Sequence, residues 1–193
     1  MSQSKCDHGH KHRGKSSEHL VEKEKIIANL SIQPGQKVLD AGCGNGYMAK
    51  EFARQVGSSG RVYALDPDAC SIRRLKEEIQ GTVIEPFVDD ITKQTKLAPD
   101  SIDLIYLSTV LHGFTAAQMQ DFVVEVKRLL KPGGILAIVE IKKGETPFGP
   151  PQNKRLSPEE LANTLGMRSI GLVEVGQHFY MQRFRIKDLP PTY

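Results

Sequence analysis

From residue 37 onward the chain alternates short apolar runs with stretches of helical period, and this alternation limits the fold more than any other feature. The runs at 37–40, 61–66, 82–88, 102–107 and 135–141 read as strands. Segments 47–56, 68–79 and 115–130 space their apolar residues as a helix with one buried face does. Strands joined through a helix run parallel, with right-handed crossovers and helices on both faces of the sheet. The last two runs, 168–175 and 178–186, are separated only by Gly176-Gln177. That is too short for a crossover, so they lie antiparallel to each other. The expected architecture is α/β: a doubly wound, Rossmann-like, mostly parallel sheet with helices on both faces.

Local signals support this division. Asp68 can cap the helix that follows it. The helix over 115–130 stops at Lys131-Pro132-Gly133-Gly134, a break followed by turn residues. Ser157 and Glu160 form a capping box, with Pro158 at the first helical position. Upstream, 17–30 reads as one more helix, with Leu20, Val21, Ile26, Ile27 and Leu30 at near-helical spacing and Ser16 or Ser17 as its cap. The loop 142–156, with Phe148, Pro150, Pro151 and Arg155, is expected to roof the ligand pocket.

At 193 residues, 39% hydrophobic and 25% charged, the chain is one ordinary domain with enough apolar surface for a core. No apolar run approaches the ~20 residues of a membrane span, and the polar start is unlike a secretory signal. A cytoplasmic protein without a membrane partner is expected, with Cys6, Cys43 and Cys70 as reduced thiols. The net charge of +3 resides in residues 1–15, where Lys5, Lys11, Arg13 and Lys15 face only Asp7. The rest is neutral, which argues against a nucleic-acid partner. Nothing in the sequence speaks to oligomeric state. Residues 1–16 lack apolar periodicity and are expected to form a flexible tail before a domain over 17–193. Cys6, His8, His10 and His12 in that tail are of metal-ligating type, but their spacing supplies no preformed geometry, so no metal site is assigned.

The segment Val38-Leu-Asp-Ala-Gly-Cys-Gly-Asn-Gly-Tyr joins the first strand to the first crossover helix. Glycines 42, 44 and 46 let backbone approach a ligand closely. A dinucleotide site spaces its glycines Gly-x-Gly-x-x-Gly and docks a pyrophosphate on the helix end. Here the last spacing is one residue shorter, and Asp40 would repel a pyrophosphate. A carboxylate there suits a cation such as an amino acid's ammonium, while free backbone N–H groups suit its carboxylate. Asp66 ends the second strand, where an acid accepts hydrogen bonds from both ribose hydroxyls. Its removal should weaken ligand binding and leave ligand-free stability alone. Asp90 closes the third strand and could reach an adenine amino group; Asp89 beside it could point inward instead. An acid each for an amino acid, a ribose and a base describes S-adenosyl-L-methionine.

In order, 38–46 (Val-Leu-Asp-Ala-Gly-Cys-Gly-Asn-Gly), 62–66 (Val-Tyr-Ala-Leu-Asp), 88–91 (Val-Asp-Asp-Ile), 101–106 (Ser-Ile-Asp-Leu-Ile-Tyr) and 129–136 (Leu-Leu-Lys-Pro-Gly-Gly-Ile-Leu) carry a resemblance. Over 36–141 the chain resembles a class I S-adenosylmethionine-dependent methyltransferase, with a looser likeness to the quinone-biosynthesis and arsenite methyltransferases. The resemblance implies a seven-stranded sheet with the last strand inserted antiparallel. It also implies methyl transfer to a small-molecule thiol, metalloid, phenol or activated carbon by in-line displacement. The implied cofactor-binding residues are Asp40, Ala41, Gly42, Cys43, Gly44, Gly46, Asp66, Pro67, Asp90, Ile91 and Leu107. Arsenite enzymes hold the metalloid with several cysteines; here one of the three lies in the cofactor loop, a departure from that pattern.

His112 follows the fourth strand, on the edge that faces the ligand crevice in such a sheet. It is the first choice for a general base wherever the acceptor must lose a proton, and otherwise it shapes the pocket. Tyr47, the second catalytic candidate, either covers the methionine part of the cofactor or packs. Cys43 reads as a small residue filling the loop rather than a nucleophile. Glu140 lies on the same edge as His112, in the site or solvated. His178 and Tyr180 alternate along the last strand and read as core or edge residues. Two rival functions remain: a regulatory protein that binds the cofactor or a metal through its tail, and a nicotinamide-dependent oxidoreductase, against which the glycine spacing and Asp40 count.

Overall fold

A computed structural model describes residues 19–187. Its strands are β1 (Lys37–Ala41), β2 (Arg61–Asp66), β3 (Ile84–Val88), β4 (Ile102–Ser108), β5 (Leu130–Ile141), β6 (Arg168–Gly176) and β7 (Phe179–Arg185). Its α-helices are α1 (Lys23–Leu30), α2 (Tyr47–Val56), α3 (Ala69–Glu78), α4 (Ala116–Leu129) and α5 (Pro158–Leu165). The strands form one sheet in the order β3-β2-β1-β4-β5-β7-β6. The first five are parallel, and β7 is inserted antiparallel between β5 and β6.

Val38, Leu39, Asp40 and Ala41 of the central β1 are all buried, as a strand covered on both faces requires. Alternate strand residues feed two cores. Val38, Val62 and Tyr106 pack with Ile26, Phe52 and Leu75 of α1, α2 and α3. Leu39, Leu65 and Leu107 pack with Phe122, Val126 and Leu161 of α4 and α5. Asp68 caps α3 by accepting the Cys70 N–H at 3.0 Å, and the Ser157–Glu160 box caps α5.

Two elements differ from the sequence reading, and a third is a connection that it assigned to no element. First, the described part of 17–30 is α-helical only from Lys23; the Glu22 N–H instead donates to the Val175 carbonyl at 2.7 Å and ties this segment to β6. Ser16, Ser17 and the whole tail, with Cys6, His8, His10 and His12, lie outside the described residues. Second, the β3–β4 connection, 89–101, holds no helix. Buried Glu125 and half-buried Arg128 anchor it: Glu125 accepts the Thr95 N–H at 2.9 Å and the Arg128 Nε–H at 2.7 Å, while Arg128 Nη1 donates to the Leu97 carbonyl at 2.8 Å. Third, 131–134 is a bulge inside β5 rather than a turn before it. The register jumps from Ile102↔Leu130 to Leu104↔Ile135. A Cβ on Gly134 would meet the Lys131 carbonyl at 2.9 Å, which is why glycine stands there.

The loop 142–156 wraps around Arg155. This buried guanidinium donates to the carbonyls of Pro150 (2.8 Å), Gly144 (2.6 Å) and Phe148 (3.2 Å), so its charge organises the loop. His178 sits in the β6–β7 turn with its ring edge-on to Phe148, and Tyr180 is buried in β7. Among the described residues no helix is long and apolar enough to cross a membrane.

Candidate active site

The glycine loop is stapled to the end of β2. The N–H groups of Gly42 and Cys43 both donate to the Leu65 carbonyl, at 2.7 and 3.0 Å. Gly42, Gly44 and Gly46 all have positive φ, at 77°, 51° and 76°. Their surroundings differ. A Cβ on Gly42 would lie 2.7 Å from Val110, and one on Gly46 2.4 Å from Leu75, so these two permit packing. A Cβ on Gly44 would meet nothing within 4 Å. Gly44→Val is therefore expected to keep the fold but abolish cofactor binding, because a branched side chain is strained at that φ and fills the open space. Calorimetry on the folded variant checks this; normal affinity would mean the loop does not approach the cofactor.

Beneath the loop lies Asp40, 3% exposed. Burial pushes its carboxyl up to about 7 from an ordinary 3.8; the Ala49 N–H at the start of α2 opposes the rise, and the Asp66 charge adds to it. Its Oδ2 is buried without a hydrogen-bond partner. Cys43 is also buried, and burial, aided by Asp40 and Asp66, pushes its thiol far above the ordinary range. Burial thus holds it as the protonated thiol, a poor nucleophile.

Asp66 does more than the sequence implied. Its Oδ2 accepts the Gly44 N–H at 2.9 Å and its Oδ1 the Asp68 N–H at 2.8 Å, bracing the loop against the start of α3. Asp66→Ala is expected to weaken cofactor binding about 10–10⁴-fold, the loss of one or two charge-assisted bonds. Contrary to the sequence reading, it should also lower the ligand-free thermal midpoint. Paired calorimetry and melting curves check both effects.

Asp90 turns one oxygen to its own chain: Oδ1 accepts the Thr92 N–H at 2.9 Å and the Thr92 hydroxyl at 2.7 Å. Asp89 accepts the Asp90 N–H at 2.9 Å. Ala41, Ile91 and Leu107 are buried in the core on one face of the sheet, while Pro67 is exposed. Tyr47 opens α2, its N–H donating to Asn45 Oδ1 at 3.1 Å and its ring facing Lys23 Nζ, 5.6 Å from the centroid.

His112 lies on a 3-10 turn, Leu111–Gly113, just after β4. Val110, which abuts Gly42, places this turn beside the glycine loop. His112 Nδ1 is 3.3 Å from Glu140 Oε2, and Glu140 Oε1 accepts the Leu111 N–H at 3.0 Å. Glu140 is 2% exposed, so it is not a solvated strand end. An acid next to the end of an apolar strand was its only local signal. A cleft of about 520 Å³ opens close by, lined by Phe114, Thr115, Ala116, Met119, Gln120, Val123, Leu156 and Thr164. Phe114 follows the His112 turn, and the Leu156 carbonyl accepts the hydroxyl of Tyr180, the register partner of Glu140.

The sheet and its glycine loop define a doubly wound α/β protein, a class that binds its ligands at the carboxyl ends of the central strands. Residues 38–134 match the family described as a methyltransferase domain, and the chain belongs to that family. An uncharacterized methyltransferase of Synechocystis sp. is 36% identical over 61% of this chain and 52% of its own length. The ubiquinone/menaquinone biosynthesis C-methyltransferase UbiE of Hydrogenovibrio crunogenus is 34% identical over 67% of this chain and 52% of its own. The chain thus spans about half the length of the curated relatives it matches. Among solved structures, an S-adenosylmethionine-dependent methyltransferase from Aquifex aeolicus superposes with a TM-score of 0.78 at 27% identity, covering 89% of this chain and 93% of that one. S-adenosylmethionine is the cofactor of this class, which displaces the nicotinamide reading.

Proposed function

We propose that the chain moves the methyl group of S-adenosylmethionine to a small-molecule nucleophile by in-line displacement. The observation that carries this reading is the unpartnered, buried Oδ2 of Asp40 beneath the glycine loop, a place for the cofactor's ammonium. The open space at Gly44 and the carboxylate of Asp66 fit the rest of the cofactor. When bound, S-adenosylmethionine supplies a methyl group on a cationic sulfur, and the carbon–sulfur electron pair stays on sulfur as the acceptor's lone pair bonds to carbon. The protein's part is to align the acceptor, exclude water and take a proton. The cleft between α4 and α5, with Phe114, Met119, Val123 and Leu156, suits an apolar portion of the acceptor. Relatives named C-methyltransferases favour an activated carbon over a thiol, a metalloid or a phenolic oxygen.

Incubation with methyl-labelled S-adenosylmethionine and a panel of thiols, phenols, activated ring carbons, metalloids and proteins tests the reading. Label is expected on a small molecule, with S-adenosylhomocysteine formed in equal amount. Label on proteins alone overturns the acceptor class, and tight cofactor binding with no transfer to any of them favours a regulatory protein.

A further inference from the structure

We propose that Glu140 is a positioning residue that holds the His112 proton on Nδ1 and leaves Nε2 free to take a proton from the methyl acceptor. The proposal rests on the methyltransferase reading for its meaning, but its test does not need turnover. A buried carboxylate needs partners for its oxygens. Glu140 has one on each: the Leu111 N–H at 3.0 Å on Oε1, and His112 Nδ1 at 3.3 Å from Oε2. An ionised carboxylate has no proton to give, so in the neutral ring the bridging proton belongs to Nδ1. Nε2 then carries the lone pair, on a side chain 26% exposed at the ligand edge of the sheet.

The proton balance defines the acceptor. Its X–H bond breaks, the electron pair stays on X for the new bond to carbon, and the proton goes to Nε2. The resulting imidazolium faces the Glu140 carboxylate and returns the proton to water. The acceptor must therefore carry a removable proton on its nucleophilic atom: a hydroxyl, a thiol or an acidic C–H. Thioethers and tertiary amines carry none and gain nothing from this pair.

Glu140→Gln tests the assignment with little change of shape. Its single amide oxygen is needed by the Leu111 N–H, so the NH₂ faces Nδ1 as a donor. Nδ1 must then accept, and the ring proton moves to Nε2. Nitrogen-15 NMR of the full, ligand-free chain reads this directly. The expected result is a proton on Nδ1 in the wild type and on Nε2 in the variant, with turnover lowered about 10²–10⁴-fold and cofactor affinity unchanged. A proton on Nε2 in the wild type, or the same tautomer in both proteins, overturns the proposal. If the variant fails to fold, the wild-type spectrum decides alone. Failure of the methyltransferase reading would show separately, as absent S-adenosylmethionine binding.

Discussion

Replacing His112 by alanine is expected to lower turnover by about 10²–10⁴-fold while leaving cofactor affinity nearly unchanged. The reason is geometric: His112 stands on the turn after β4, next to the glycine loop, and Glu140 orients its ring. The variant removes the proposed proton acceptor and touches none of the groups assigned to the cofactor. The variant also leaves Oε2 of the buried Glu140 without its partner, which costs about 1–3 kcal/mol of stability, so rates must be measured well below its melting midpoint. A full pH–rate profile of both proteins decides the matter. An unaltered rate and profile would remove His112 as the base and leave alignment alone as the mechanism.

Asp40→Asn is expected to move affinity and stability in opposite directions. The wild-type carboxyl titrates at about 7 in the fold against an ordinary 3.8. A raised value in the folded state means a contribution that is fully present below about 4 and lost as pH rises through about 7. Above that pH the ligand-free protein carries a buried charge with one unpartnered oxygen. The neutral amide removes that burden. The gain at pH 8 is on the order of 2 kcal/mol, below the roughly 4 kcal/mol limit that the displacement sets. At pH 4 the two proteins should melt together. The cofactor's ammonium, however, loses its charge-assisted partner, and affinity should fall about 10–100-fold. Melting curves at both pH values, with and without S-adenosylmethionine, check both signs. A variant less stable than wild type at pH 8 would mean that Asp40 Oδ2 has a partner in the free protein.

The strands and helices nearest the glycine loop were legible because local chemistry brackets them. α2 and β2 run over the residues the sequence indicated, between glycines on one side and a terminal acid on the other. The inserted β7 followed from the short final turn together with the family resemblance. What escaped depends on partners distant in sequence. Nothing within 89–101 announces that Glu125 and Arg128 will anchor it. The Pro-Gly-Gly run reads as a turn until β4 lies beside it and makes it a bulge. In the site, Asp40 and the glycines stood out from spacing alone. The His112–Glu140 pair did not, because its members come from different strand ends 28 residues apart. Nor did the bracing role of Asp66, which depends on where the Gly44 and Asp68 N–H groups point in the folded loop.

The central claim is that the loop over Asp40 and Asp66 is built for S-adenosylmethionine. Isothermal titration of the wild-type chain with S-adenosylmethionine, S-adenosylhomocysteine and NAD tests it most directly. Saturable one-to-one binding of the first two, with no heat of binding for NAD, is the expected result. Binding of NAD, or of neither sulfur compound, would contradict it.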